Sequence, residues 1–271
     1  MRILFLGDII GRSGREAIVA GLKDWRSRLA LDLVVVNGEN ASHGYGLSPA
    51  IAQDLFDAGV DVITLGNHAW DRRDMIGHID QTPRIIRPIN YPPGTPGQGS
   101  YIVEVSRGRR ALVVNVMGRI FMDPLDDPFR CVNDLLSRHR LGMTVQAVVV
   151  DIHAEATSEK MAFGHVLDGR ASLVIGTHTH VPTADHRILA GGTAYQTDAG
   201  MCGDYDSVIG MGKSASIHKF VRKMPGDRPQ PAEGVASICG LMVETDDTTG
   251  LATKVAPFRQ GGLLASNWPD F

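Results

Sequence analysis

The chain has 271 residues, with 27 Lys and Arg against 30 Asp and Glu, 10 His, and 43% hydrophobic residues. That ordinary globular mixture excludes a disordered chain, and its net charge of −3 argues against a protein held mainly on a nucleic-acid backbone, which needs a basic face. Three cysteines, at 131, 202 and 239, are odd in number and lack a CxxC, so neither a disulfide framework nor a thiolate zinc site is expected.

Residues 2–6 form an apolar run read as a buried strand. The run is too short for a signal peptide, and no stretch reaches the roughly 18 apolar residues of a membrane span, which leaves the cytoplasm as the expected location. Ser13 is expected to cap a helix carrying Ile18, Val19, Leu22, Trp25 and Leu29 at helical spacing. Residues 33–36 read as a strand covered on both faces. Ser48 and Pro49 open a second helix, with Ile51, Leu55 and Ala58 on its face and Gly59 as its stop. Residues 60–65 read as a strand and 88–99 as a Pro/Gly-rich loop. Residues 101–105 and 111–116 suit a hairpin, 126–140 a helix, 147–150 a strand and 158–167 a helix. Short strands are expected at 173–175, 188–189 and 193–196, and a late antiparallel pair at 235–244 and 252–257, with the Pro-rich stretch 225–231 joining elements. Early βαβ units followed by strand-rich segments predict an α/β fold of two packed mixed sheets with helices outside. Residues 1–271 are read as one domain.

The informative feature is where the polar residues fall. The first strand ends in Asp8, the second in Asn37-Gly38-Glu39-Asn40, and the third in Gly66-Asn67-His68-Ala69-Trp70-Asp71. Residues 147–150 run into Asp151 and His153, and residues 173–175 into His178 and His180. Ligands in open α/β sheets gather beyond the carboxyl ends of strands, so these clusters are expected to converge. Taken singly, Asp8 and Asn40 are ordinary cap or turn residues, Glu39 a solvated carboxylate and His153 a structural histidine. Taken together they supply enough oxygen and nitrogen donors for two metal ions, without thiolate, in a set suited to Fe, Mn or Zn. On a continuing strand His178 and His180 would face the same side. Bound dications would outweigh Asp8 and Glu39 and so draw a phosphate to an acidic chain.

The clusters GD (7–8), GEN (38–40), GNH (66–68), the lone His153 and THTH (177–180) resemble those of the calcineurin-like metallophosphoesterases. The stretches MRILFLGDIIGRSGR, NGENASHGYGLS, GNHAWD, RPINYPP and TDAGMCGDYDSVIGM are similar to those of one branch, the YmdB-like phosphodiesterases of bacteria. The resemblance implies a four-layer α-β-β-α sandwich of two mixed β-sheets flanked by helices. It implies one metal ion on Asp8, Asn40 and His180, a second on Asn67, His153 and His178, and Glu39 between them. A bridging hydroxide would attack phosphorus, and His68, not a ligand, would act as the acid. The usual Asp-x-His of the wider family is absent, since Ile9 and Ile10 follow Asp8, and Asn40 stands in for that ligand. Ala69 replaces the acidic residue that usually follows the GNH histidine, which leaves open whether Asp71 orients His68. The amide oxygen favours iron or manganese over zinc.

The implied activity is a phosphodiesterase acting on small phosphodiesters such as 2′,3′-cyclic nucleotides or cAMP, in a homo-oligomer with no membrane partner. A nuclease or phosphatase of the same superfamily, and a metal-containing regulatory or scaffolding protein, are the alternatives; RNA as a partner stays open. His43, Asp204 and Tyr205 are candidate substrate contacts. Asp198 and Cys202 share the Gly-rich loop 198–212, which would line the pocket or an oligomer contact, with Cys202 read as a small buried thiol. Residues 11–15, GRSGR, fit either an anion-binding helix start or a tight strand-to-helix turn.

Overall fold

The computed structural model describes residues 1–271. Strand β1 (Arg2–Leu6) is followed by β2 (Asp8–Ile9), α1 (Gly11–Arg28) and β3 (Leu33–Asn37). Next come α2 (Pro49–Ala58), β4 (Val62–Thr64), α3 (Arg73–His78) and β5 (Ile85–Ile86). The chain then builds β6 (Ser100–Val105), β7 (Arg109–Met117), α4 (Pro128–Arg138), β8 (Ala147–His153), α5 (Thr157–Val166), β9 (Leu173–Thr177), β10 (Arg187–Ile188) and β11 (Ala194–Gln196). It returns through β12 (Met201–Asp204), α6 (Lys213–Arg222), β13 (Ala236–Thr245) and β14 (Ala252–Gln260).

Two mixed sheets result. The first has the order β2-β12-β13-β1-β3-β4-β5, with β14 also on β13; the second has the order β10-β11-β9-β8-β7-β6. The parallel run β1-β3-β4-β5 lies in the first and β7-β8-β9-β11 in the second. Side chains alternate along a strand, and this alternation makes the layers. Ile3, Phe5, Leu33 and Val35 meet Val113, Val149 and Leu173 between the sheets. Leu4, Leu6, Val34 and Val36 face outward onto Ile18 and Leu22 of α1 and Leu55 of α2. On the other side Leu112, Val114, Val148 and Val150 pack under Val132 of α4 and Phe163 of α5. The architecture is a four-layer α-β-β-α sandwich, as the resemblance implied. No helix is long and apolar enough to cross a membrane.

Local signals explain several boundaries. Ser48 caps α2 by accepting the N–H of Ile51, Pro49 occupies its first turn, and Gly59 closes it at φ 110°. Helix α1 differs from expectation. It starts at Gly11 after Ile10, with no side-chain cap, and Ser13 lies inside the helix with its hydroxyl on the carbonyl of Ala232. A Cβ at Gly14 would collide with the carbonyl of Cys202, so the GRSGR segment is a close-packed helix start against β12. Val19 is 40% exposed rather than part of the apolar face. Strand β8 runs on to His153, because Asp151 and His153 continue the parallel register with Ile175 and Thr177. The elements β2, α3, β5, β12 and α6 were not anticipated, being short or set in Gly- and polar-rich sequence.

Candidate active site

The carboxyl ends of β1, β3, β4, β8 and β9 converge on one polar centre between the sheets. Asp8, Glu39, Asn40, His153 and His180 are buried there. Nε2 of His153 lies 3.2 Å from Oε1 of Glu39, 2.9 Å from Oδ1 of Asn67 and 3.1 Å from Nδ1 of His178. Oδ1 of Asp8 lies 3.9 Å from His153 and 3.8 Å from Nε2 of His180. The backbone N–H of His178 donates to Oδ2 of Asp8 at 3.3 Å, and that of His68 to Oε2 of Glu39 at 3.0 Å. A Cβ at Gly66 would strike both Glu39 and His153, so only glycine lets the β4 turn approach this close.

Local bonds aim the donors inward. The hydroxyl of Thr177 gives its proton to Asp151 at 2.6 Å, so it can only accept from Nδ1 of His153 at 2.9 Å. That leaves Nε2 of His153 facing the centre. Nδ1 of His180 donates to the carbonyl of Ile209 at 2.8 Å, which likewise turns Nε2 inward. The amide nitrogen of Asn40 donates to the carbonyl of Gly44 at 3.1 Å, which directs Oδ1 away from that bond. His178 and His180 do not continue β9. Both sit at positive φ, 92° and 66°, beyond its end at Thr177, so their convergence comes from a tight loop and not from strand alternation.

The electrostatics follow from burial and crowding. Burial pushes the Asp8 carboxyl up, against the pull of His180 and His153. Burial acts the same way on Glu39, but the adjacent His153 overrides it and brings the carboxyl down to about 2. Burial opposes charge on His153, yet Glu39, Asp8 and Asp151 raise it to about 9. Burial and the neighbouring His153 push His178 down to about 3.

The donor set fits a cation. Oδ1 of Asp8 and Oδ1 of Asn40 are buried acceptors with no hydrogen-bond donor. Ligand atoms of Glu39, His153 and His178 lie within 4.8 Å of one another. Buried acceptors without donors are costly, and a positive ion among them removes that cost.

His68 stands beside this centre with its side chain 29% exposed, and its Nδ1 bonds Oδ2 of Asp71 at 2.8 Å. Asp71 is therefore within reach to orient His68. Asp151 emerges as a buried tie between the sheets, accepting from Thr64 at 2.6 Å, Thr177 at 2.6 Å and Asn37 at 3.2 Å, with burial lifting its carboxyl to about 7. Thr177 and Ile209 escaped the sequence reading, and no local signal marks them. Of the candidate substrate contacts, His43 lines a cleft with Asp71. The hydroxyl of Tyr205 is engaged by the backbone of Met201 and His180, and Asp204 accepts the N–H groups of Asp206 and Gly234. Cys202 is fully buried, and burial raises its thiol well above the usual range. A larger groove of about 560 Å³ beside α6 holds no histidine and so lacks this chemistry.

Residues 4–258 match the family model described as YmdB-like protein. The chain belongs to the YmdB-like family. A 2′,3′-cyclic-nucleotide 2′-phosphodiesterase of Bacillus subtilis is 44% identical over 255 residues, spanning 94% of this chain and 95% of that protein. A hypothetical protein of Thermus thermophilus, known by its crystal structure, matches with a TM-score of 0.90 and 45% identity over 97% of this chain and 100% of its own. A novel phosphatase of Mycoplasma pneumoniae matches with a TM-score of 0.89 and 34% identity, covering 96% and 93%. With relatives named as a phosphodiesterase and a phosphatase, this YmdB-like chain is a hydrolase acting on phosphoric diesters.

Proposed function

We propose that this YmdB-like enzyme opens small 2′,3′-cyclic nucleotides at a binuclear centre, with His68 as the acid. The observation that carries the reading is the pair of buried, donorless oxygens on Asp8 and Asn40 beside the inward-facing nitrogens of His153 and His180. Asp8, Asn40 and His180 would hold one ion, Asn67, His153 and His178 the other, and Glu39 would contact both. Such ions, when bound, neutralise phosphate charge and acidify a water. The amide oxygen of Asn40, in place of a histidine nitrogen, favours iron or manganese, with zinc as the alternative. Elemental analysis of protein purified without added metal tests this, and a zinc-only result overturns it.

The protein's own groups account for the rest. A P–O bond forms from water and the P–O2′ bond breaks. His68 delivers a proton to the leaving O2′, while Asp71 holds Nδ1 and so turns Nε2 toward substrate. The N–H of His68 bonded to Glu39 fixes that ring relative to the metal ligands. The shared apolar layer between the sheets supports residues 1–271 as one domain. Exposed Ile217, Phe220, Val221 and Met224 on and after α6 support the homo-oligomer, which light scattering checks.

The deciding experiment compares 2′,3′-cyclic AMP, 3′,5′-cyclic AMP, mononucleotides and short RNA with Mn²⁺ present. Fastest turnover of the 2′,3′-cyclic compound to the 3′-phosphate is expected. Preferred cleavage of RNA would replace this reading with a nuclease.

A further inference from the structure

Beside His68 opens a cleft of about 170 Å³, walled by Tyr45 and His43, by Asp71, and by Arg228 and Gln230. Its volume is near that of a cavity that holds a single benzene ring, roughly 150 Å³. Asp71 is the residue bonded to Nδ1 of His68, and the Tyr45 ring stands edge-on to the His68 ring with centroids 5.4 Å apart. The cleft therefore begins where the leaving oxygen would receive its proton. The Arg228 guanidinium lies 4.4 Å over the Tyr45 ring.

The wall is a built feature. The N–H of Ser42 donates to the carbonyl of Gly46 at 2.9 Å and that of Tyr45 to Ser42 at 3.0 Å. The same turn anchors Asn40 through the carbonyl of Gly44. His43 is held at φ 54°, a left-handed conformation that non-glycine residues rarely adopt and that tends to persist at functional sites. A Cβ at Gly44 would press on Met211 and Pro231 at 2.9 Å, so the turn and the segment carrying Arg228 are in tight register. Yet the Tyr45 hydroxyl, the His43 ring and the Arg228 guanidinium make no hydrogen bond or ion pair within the protein. Beyond the Arg228–Tyr45 and Tyr45–His68 ring contacts, these large polar side chains are presented without polar partners.

We propose that this cleft receives the nucleobase of the substrate, stacked against the Tyr45–Arg228 pair, with Gln230 donating to its edge. The assignment rests on the proposed function, since it places the base one ribose away from the bond that His68 completes. A planar π-system suits both an aromatic face and a guanidinium plane. A second phosphate would meet Arg72 and Arg228 as well as the Asp71 carboxylate, and the two cyclic diesters compared below separate it from a base.

The test compares 2′,3′-cyclic AMP with glycerol 1,2-cyclic phosphate, the same kind of cyclic diester without a base. Wild type, Tyr45→Ala, Tyr45→Phe and Arg228→Ala are assayed on both. The two alanine variants are expected to raise KM for the nucleotide about tenfold more than for the glycerol compound, the low end of base–aromatic stacking, and Tyr45→Phe to retain most of the preference. Equal losses on both compounds would mean contact with the phosphate and would overturn the proposal, as would no loss on either. A calorimetric titration with adenosine 3′-monophosphate reads the cleft without turnover. If wild type hydrolyses neither cyclic diester, the proposed function fails. The titration then decides the cleft alone: about tenfold weaker binding by Tyr45→Ala supports it, and equal affinity overturns it.

Discussion

Nδ1 of His68 donates to the carboxylate of Asp71 at 2.8 Å, three residues along the same turn. The bond turns the ring so that Nε2 faces the substrate side. His68→Ala should therefore keep its metal content and lose about 10²–10⁴-fold in kcat. Asp71→Asn should lose less, about tenfold to a hundredfold, because an amide oxygen can still accept from Nδ1 and hold the ring. Steady-state kinetics beside elemental analysis check both. Unchanged turnover in His68→Ala removes it from the mechanism.

Thr177 links His153 to the buried Asp151. Thr177→Val removes the acceptor that fixes the His153 ring, and the affinity for Mn²⁺ should fall about 10–100-fold. Thr177→Ser keeps the hydroxyl and should stay near wild type. Equilibrium metal titration distinguishes them, and equal affinity in Thr177→Val would dismiss the orienting role.

Lys160 of α5 and Asp198 form a fully buried ion pair at 2.8 Å, and the same carboxylate accepts the N–H and hydroxyl of Thr179 at 3.1 and 2.6 Å. Thr179 lies between His178 and His180, so the pair underpins the loop at positive φ. Lys160→Met leaves a buried carboxylate unpaired and should cost about 3–5 kcal/mol in urea unfolding. Metal affinity should fall with it. An unchanged midpoint would show that the loop stands without the pair.

Arg109 at the start of β7 reaches across to Asp32 at 2.6 Å and Asp247 at 2.8 Å, joining the second sheet to the first. Burial pushes the Asp32 carboxyl up, but the Ser106 hydroxyl, the Arg2 N–H and Arg109 outweigh it and hold the group below its usual 3.8. A folded value below the unfolded one stabilises above the unfolded value and is lost as pH falls through the folded value. Solvent screening limits the effect to about 1 kcal/mol or less. Urea unfolding near pH 7 and near pH 3 should show a smaller acid loss in Asp32→Asn than in wild type. Equal losses would assign the acid sensitivity elsewhere.

Much of the fold was legible because its causes are local. The continuous apolar runs of β1 and β3 follow from strands covered on both faces, and the Ser48-Pro49 start and Gly59 stop of α2 from cap chemistry within one turn. The family motifs likewise named Asp8, Glu39, Asn67 and the histidines, each of which the fold brings to one centre. Where two alternatives were locally equivalent, the sequence could not choose. Ser13 suits a cap as well as a helix interior, and the close approach of Gly14 to Cys202 decides in favour of the interior. His178 and His180 suit a strand, but the pull of Asp198 on Thr179 turns the chain into a loop.

By itself, then, the sequence determined the strand ends, the donor types and the family. Only the tertiary structure decided which atom of each donor faces inward. For the histidines that choice is made by Thr177 and Ile209, partners 24 and 29 residues from the side chains they aim. A hydrogen bond fixes a tautomer or an amide orientation through angles and distances of a few ångströms. Such geometry exists only once the two sheets have packed.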